Sequence, residues 1–117
     1  MKSYESLKNY QEFKEVFDNG KSFANKYLVM YVKPDIKGKD KLGIQVSKKV
    51  GNSVVRHHLT RLIREAYRLN KSTFNSGLDV VVIARMTAKN ITFREMESAL
   101  MHLAKLHKIV AENSNIN

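Results

Sequence analysis

A chain of 117 residues with 43% hydrophobic side chains can bury one core but not two, so the whole of 1–117 reads as a single domain with an ordered part over about 7–110. It has no cysteine, which excludes a disulfide framework, a thiolate metal site and a thiol nucleophile and suits a reducing cytoplasm. The net charge of +10 points to an anionic partner, and neither the opening MKSYESLKNY nor any later apolar run resembles a signal peptide or a membrane span.

The first predicted element is a helix over Asn9 to Asn19, with Tyr10, Phe13, Val16 and Phe17 at helical spacing and Gly20 as its stop. Phe13 and Phe17 lie one turn apart on one face, a spacing that favours core packing over the alternative of stacking on nucleic-acid bases. Gly20, Lys21 and Ser22 look superficially like the end of a phosphate-binding loop, but the glycine such a loop needs five positions earlier is Glu15.

Tyr27 to Val32 alternates, with Leu28, Met30 and Val32 on one face and Tyr27, Val29 and Tyr31 on the other, as in a strand. Lys33 to Asp40 carries the only proline and Gly38 and reads as a polar hairpin loop. A second alternating strand follows over Lys41 to Val46, with Leu42, Ile44 and Val46 inward.

The charge concentrates in the next stretch. From Lys48 to Lys71 there are seven Lys or Arg against the single acid Glu65, so a fifth of the chain holds +6 of the total. Asn52 and Ser53 are candidate N-caps of a helix whose buried stripe is Val55, Leu59, Leu62, Ile63, Ala66 and Leu69. On its wet side Arg56, Thr60 and Arg64 form one row, with Arg61 and Arg68 beside them, and Gly51 turns the Lys48–Lys49 loop into the positive end of the helix. With one acid, little i,i+4 pairing accounts for these arginines, and a nucleic-acid backbone is the partner they suit.

After a polar connection over Asn70 to Gly77, Leu78 to Ala84 is a continuous valine-rich run, expected of a strand covered on both faces. Thr92 and Glu95 make a capping-box pattern for a last helix with Phe93, Met96, Leu100, Leu103, Leu106 and Val110 on its buried side, and the tail AENSNIN should fray. The expected order is α-β-β-β-α-β-α: an α+β, two-layer sandwich of a small mixed sheet with helices. No chemistry of its own is expected. Adjacent His57 and His58 point about 100° apart on a helix, His102 and His107 are no better placed to share a metal, and the acids are scattered.

The stretch Lys48 to Glu65, KKVGNSVVRHHLTRLIRE, resembles the signature of the bacterial ribonuclease P protein subunit, whose pattern reads roughly SKK-hydrophobic-GNAV-x-RNR-x-KRLIR. Ser47, Lys48, Lys49, Gly51, Asn52, Val54, Arg56, Arg61, Leu62, Ile63 and Arg64 match it. His57 and His58 stand in place of the triplet's Asn and Arg, and Thr60 in place of a usual Lys, so two cations and an amide are missing. The similarity extends over about Leu7 to Lys108 and implies a left-handed crossover between the strands flanking the basic helix.

The resemblance also implies a role: an accessory to a catalytic RNA that removes the 5′ leader of precursor tRNA, with the reactive Mg2+ held by the RNA and no cofactor or catalytic residue in the protein. Lys48, Lys49, Asn52, Arg56, His57, His58, Arg61, Arg64 and Arg68 would face the catalytic RNA. A cleft of Phe13, Phe17, Tyr31, Arg56, Thr60 and Arg64 would hold the leader. The alternative is a non-enzymatic RNA-binding module, for example a ribosome-associated protein; a DNA reader lacks support, with no helix-turn-helix spacing or dimer seam.

Overall fold

The computed structural model describes residues 4–111. Along them run β1 (Glu5–Ser6), α1 (Tyr10–Asn19), β2 (Lys21–Ala24), β3 (Leu28–Pro34), β4 (Lys41–Val46), α2 (Ser53–Asn70), β5 (Leu78–Ala84) and α3 (Phe93–Leu106), with 3-10 turns at Lys71–Thr73 and Met86–Ala88. All three helices start on side-chain caps: Asn9 accepts from the Glu12 N–H, Asn52 from the Val55 N–H, and Thr92 forms a reciprocal capping box with Glu95.

The five strands make one mixed sheet in the order β1-β4-β5-β3-β2. β5 is central, parallel to β4 and antiparallel to β3, which explains its continuous apolar run: Val80, Val81 and Val82 are all buried, on alternating faces. Leu28, Met30, Val32, Leu42, Val80 and Val82 turn toward α2 and α3 and pack on Leu59, Ile63, Met96, Leu100 and Leu103. The other face presents Tyr31, Val81 and Gly43 as one row in register, and α1 lies there, its Val16 joining Leu7 and Val81 in a smaller core.

The α+β class and small mixed sheet are as the periodicity predicts, and the layering is fuller than the two expected layers, because α1 sits alone on the face opposite α2 and α3. β1 is an addition; it is two residues long, too short for any periodicity, and pairs in parallel with the start of β4. β2, the third strand before α2, is exposed along its length and so carries no alternation to locate it.

Two details of the predicted core are corrected. Leu69 is 50% exposed, while Tyr67, at 2%, closes the buried stripe of α2 and meets the Tyr4 ring edge-on at 4.9 Å. α3 ends at Leu106, which is 42% exposed; Lys108 (φ 59) reverses the chain, and Val110 leaves the helix to bridge Phe74. Of the tail expected to fray, Ala111 is held, its N–H donating to the Thr73 carbonyl at 2.6 Å, and residues 112–117 lie outside the described residues. Among those described, no helix is long and apolar enough to cross a membrane.

Candidate nucleic-acid interface

Burial of Leu59, Ile63 and Ala66 fixes which way α2 faces and turns its cationic side outward. Arg61, Arg64, His57 and His58 are exposed, as are Lys48 and Lys49 on the loop before it. That loop is anchored by Val50, 4% exposed, and by Gly51, where a Cβ would lie 2.8 Å from the Val55 side chain. Arg56 is half-buried, its Nε donating to the Gly51 carbonyl at 3.2 Å, and the Thr60 hydroxyl donates to the Arg56 carbonyl at 2.9 Å.

The arginines are not equivalent. Arg68 donates to both carboxylate oxygens of Glu65, at 3.1 and 2.6 Å, and this fork holds the Glu65 carboxyl below its ordinary range. Lys71 is likewise engaged, with Asp40 at 2.9 Å. Burial alone would raise Asp40, but Lys71 and the Gly77 and Leu78 N–H groups hold it below the usual carboxylate value. Among the described residues Lys48, Lys49, Arg56, Arg61 and Arg64 make no ion pair, so they form the uncompensated part of the surface.

On the other face of the sheet the three predicted aromatics meet in a row. Phe17 stands edge-on to Tyr31 with ring centroids 4.9 Å apart, and Phe13 follows at 6.4 Å from Phe17. Each is half-buried against Val16 and Val81, so the alternatives of core and stacking platform merge: one side of each ring packs and another stays accessible. Phe13 also lines a small cavity of about 120 Å3 together with Gly43, Thr60 and Arg64. The structure thus joins the α1 aromatics to the Thr60–Arg64 edge of α2, while His57, His58, Arg61 and Arg68 lie elsewhere on the helix surface.

Sequence reasoning missed Gly43, whose signal was a glycine inside a strand pattern. It also missed a charged cluster on the α1 face, where buried Lys33 and Asp79 pair at 3.3 Å and Lys41 lies 3.8 Å from Asp35. Burial, with Asp35 adding to it, pushes Asp79 up to about 6, whereas the hydrogen bond from Asp79 and backbone N–H groups draw Asp35 down to about 2. Among the described residues Asp79 Oδ1 is buried without a hydrogen-bond partner, which is where the cost of burying this carboxyl falls. His107 is half-buried: its Nε2 lies 2.9 Å from the Met30 carbonyl, its ring meets Phe23 edge-on, and burial holds its pKa below the ordinary value. Among the described residues no three His, Cys, Asp or Glu side chains are grouped to hold a metal.

A protein-family model described as Ribonuclease P matches residues 1–108. The ribonuclease P protein component of Lachnoclostridium phytofermentans is 63% identical over 109 residues, 93% of this chain and 94% of that protein. Among solved structures, the Staphylococcus aureus RNase P protein superposes with a TM-score of 0.82 at 37% identity, covering 93% of this chain and 99% of its own. The RNase P protein of Thermotoga maritima superposes with a TM-score of 0.79 at 32% identity, covering 87% and 96%.

Proposed function

The chain belongs to the ribonuclease P protein family, and from that premise we propose that α2 docks the catalytic RNA while the aromatic face beside it holds the 5′ leader of precursor tRNA. The protein is the accessory subunit of a tRNA-processing endoribonuclease whose other component is an RNA. Lys48, Lys49, Asn52, Arg61 and Arg64 meet phosphates of the catalytic RNA, with His57 and His58 in the same footprint and Arg68 at its margin. Arg guanidinium forks suit this, because they bind phosphate oxygens in pairs.

One observation carries the leader assignment: Phe13, Thr60 and Arg64, from two different helices, line one cavity over Gly43. An extended single strand laid there has phosphates within reach of Arg56 and Arg64 and bases against Phe13, Phe17 and Tyr31, the combination of cation and stacking surface that unpaired RNA requires. Bond cleavage belongs to the RNA and the Mg2+ it binds; the protein positions the substrate and offsets charge. The reading places the chain in the cytoplasm, with the catalytic RNA and precursor tRNA as its partners.

The test is reconstitution. Adding the chain to the catalytic RNA of the same organism at low Mg2+ should stimulate correct 5′ cleavage of precursor tRNA. Phe17→Ala and Tyr31→Ala should lose preference for precursor over leaderless tRNA while still binding the catalytic RNA. Variants that weaken both RNAs in proportion to their loss of folded protein would leave the aromatics as core alone.

A further inference from the structure

A second concave feature lies on the opposite flank of α2. It is a groove of about 340 Å3 between the first turns of the helix and the turn joining β5 to α3, lined by Val54, Val55 and Ile91 together with His58, Lys89 and Asn90. Val54 is 75% exposed there, a branched apolar side chain left in water. Val54 and His58 are one turn apart, and each lies two residues, about 200° around the helix, from the matching member of the Arg56–Thr60 row. The buried stripe containing Leu59 separates the two flanks, so this groove is distinct from the aromatic cleft.

Its polar groups are uncommitted and firmly presented. Among the described residues the His58 ring, the Lys89 ammonium and the Asn90 amide make no hydrogen bond or ion pair, and no carboxylate lines the groove. The turn that carries Lys89 is held against the turn before β3: Arg85 N–H donates to the Tyr27 carbonyl at 2.8 Å, Arg85 Nη1 to the Asn25 carbonyl at 2.6 Å, and the Thr87 hydroxyl to the Lys26 carbonyl. Ala88, fully buried, pins it from below. With the backbone of the turn held this way, binding has only the side-chain rotamers of Lys89 and Asn90 left to order.

The chemistry selects one kind of occupant. Apolar walls accept a flat ring, an imidazole stacks on it, an amide supplies a donor and an acceptor to a base edge, and an ammonium meets the neighbouring phosphate. A base in a duplex keeps its faces stacked and cannot enter. We propose that this groove binds one unpaired nucleotide of the catalytic RNA as that RNA lies along α2. The inference rests on the docking role of α2 and adds to it a site for a single base. It also restores, from the β5–α3 turn, a cation and an amide beside a helix whose His57 and His58 supply neither at neutral charge.

The test uses the full chain assembled with the catalytic RNA. A photoreactive p-benzoylphenylalanine introduced at Val54 should cross-link to an unpaired nucleotide of the catalytic RNA. The Lys89→Ala/Asn90→Ala double variant should keep its melting temperature and bind that RNA about five- to tenfold more weakly, the scale of a lost base-edge hydrogen bond and phosphate contact with the stacking left in place. Arg61→Ala serves as the control for docking itself. A cross-link to a base-paired stem, to precursor tRNA or to protein overturns the proposal. So does wild-type affinity in the double variant while Arg61→Ala is weakened. If Arg61→Ala also binds like wild type, the docking role falls and the groove assignment falls with it.

Discussion

Phe13 lies against the bare α-carbon of Gly43: a methyl group built there would sit 2.7 Å from the ring's Cε2 and 2.8 Å from Leu7 Cδ1. The contact couples a strand of the sheet to the helix that carries the aromatic row. Gly43→Ala must therefore displace the ring or the strand, and overpacking of this kind costs about 1–3 kcal/mol. Thermal unfolding should show a lower Tm, and competition binding should show a reduced preference for precursor over leaderless tRNA with catalytic-RNA affinity largely retained, since of the docking residues only Arg64 borders the cavity that Gly43 lines. An unchanged Tm would mean that Phe13 does not depend on this glycine.

The Glu65 fork makes a second prediction specific to one arginine. Removing a cation that neutralises one phosphate should flatten the plot of log affinity against log salt by roughly 0.7 to 0.9. Arg61→Ala should show that change in catalytic-RNA binding, and Arg68→Ala much less, because its guanidinium is already held by Glu65. Glu65→Gln should release Arg68 and tighten binding at low salt. Equal slopes for the Arg61 and Arg68 variants would place Arg68 in the footprint on the same terms as Arg61.

Legibility followed periodicity and local capping. α2, β3, β5 and the starts of all three helices were readable because each rests on a repeat or a cap contained within a few residues, and the basic motif needed only its own spacing. The register that sets Tyr31, Val81 and Gly43 in one row is a long-range pairing, and no local pattern encodes it. The same holds for Lys33 with Asp79, which are neighbours across two strands, and for Lys89, brought beside His58 by the fold alone. The pairing of Arg68 was not legible from the overall charge count: the single acid of α2 lies three residues before it and engages its guanidinium.

The Asp35–Asp79 pair predicts how stability varies with pH. Asp79, raised to about 6 in the fold, binds a proton there more readily than in the unfolded chain, where its value is about 3.9. Its contribution therefore grows as pH falls through about 6 and is fully present near 3.9. Asp35, lowered to about 2, contributes above about 3.9 and loses that contribution as pH falls toward 2. The pair thus favours folding most near pH 4 and progressively less as pH rises through about 6. Relative to Asp79→Asn, whose amide cannot titrate and which leaves Lys33 its bond to the Pro34 carbonyl, wild type should gain melting temperature between pH 7.5 and 5. Parallel Tm profiles for the two would remove Asp79 from the account.

Thr60 offers the sharpest test of the leader cleft, because it lines the cavity with Phe13 and Arg64 but brings no charge to it. Its hydroxyl is turned back to the Arg56 carbonyl, a bond that α2 can lose cheaply since the carbonyl already serves the helix. Lysine is a good helix former, and its long stem can cross the partly exposed site and carry an ammonium past the cavity mouth. Thr60→Lys should therefore fold normally and add about one phosphate contact. Precursor tRNA should bind the assembled holoenzyme more tightly at low salt, with the gain fading as salt rises and a log–log slope steeper by roughly 0.7 to 0.9. Leaderless tRNA should gain nothing, because the added charge faces the aromatic row and not the docking side of α2. Equal tightening of both tRNAs would assign the new contact to the tRNA body, and no tightening at low salt would remove the Thr60 edge from the leader's path.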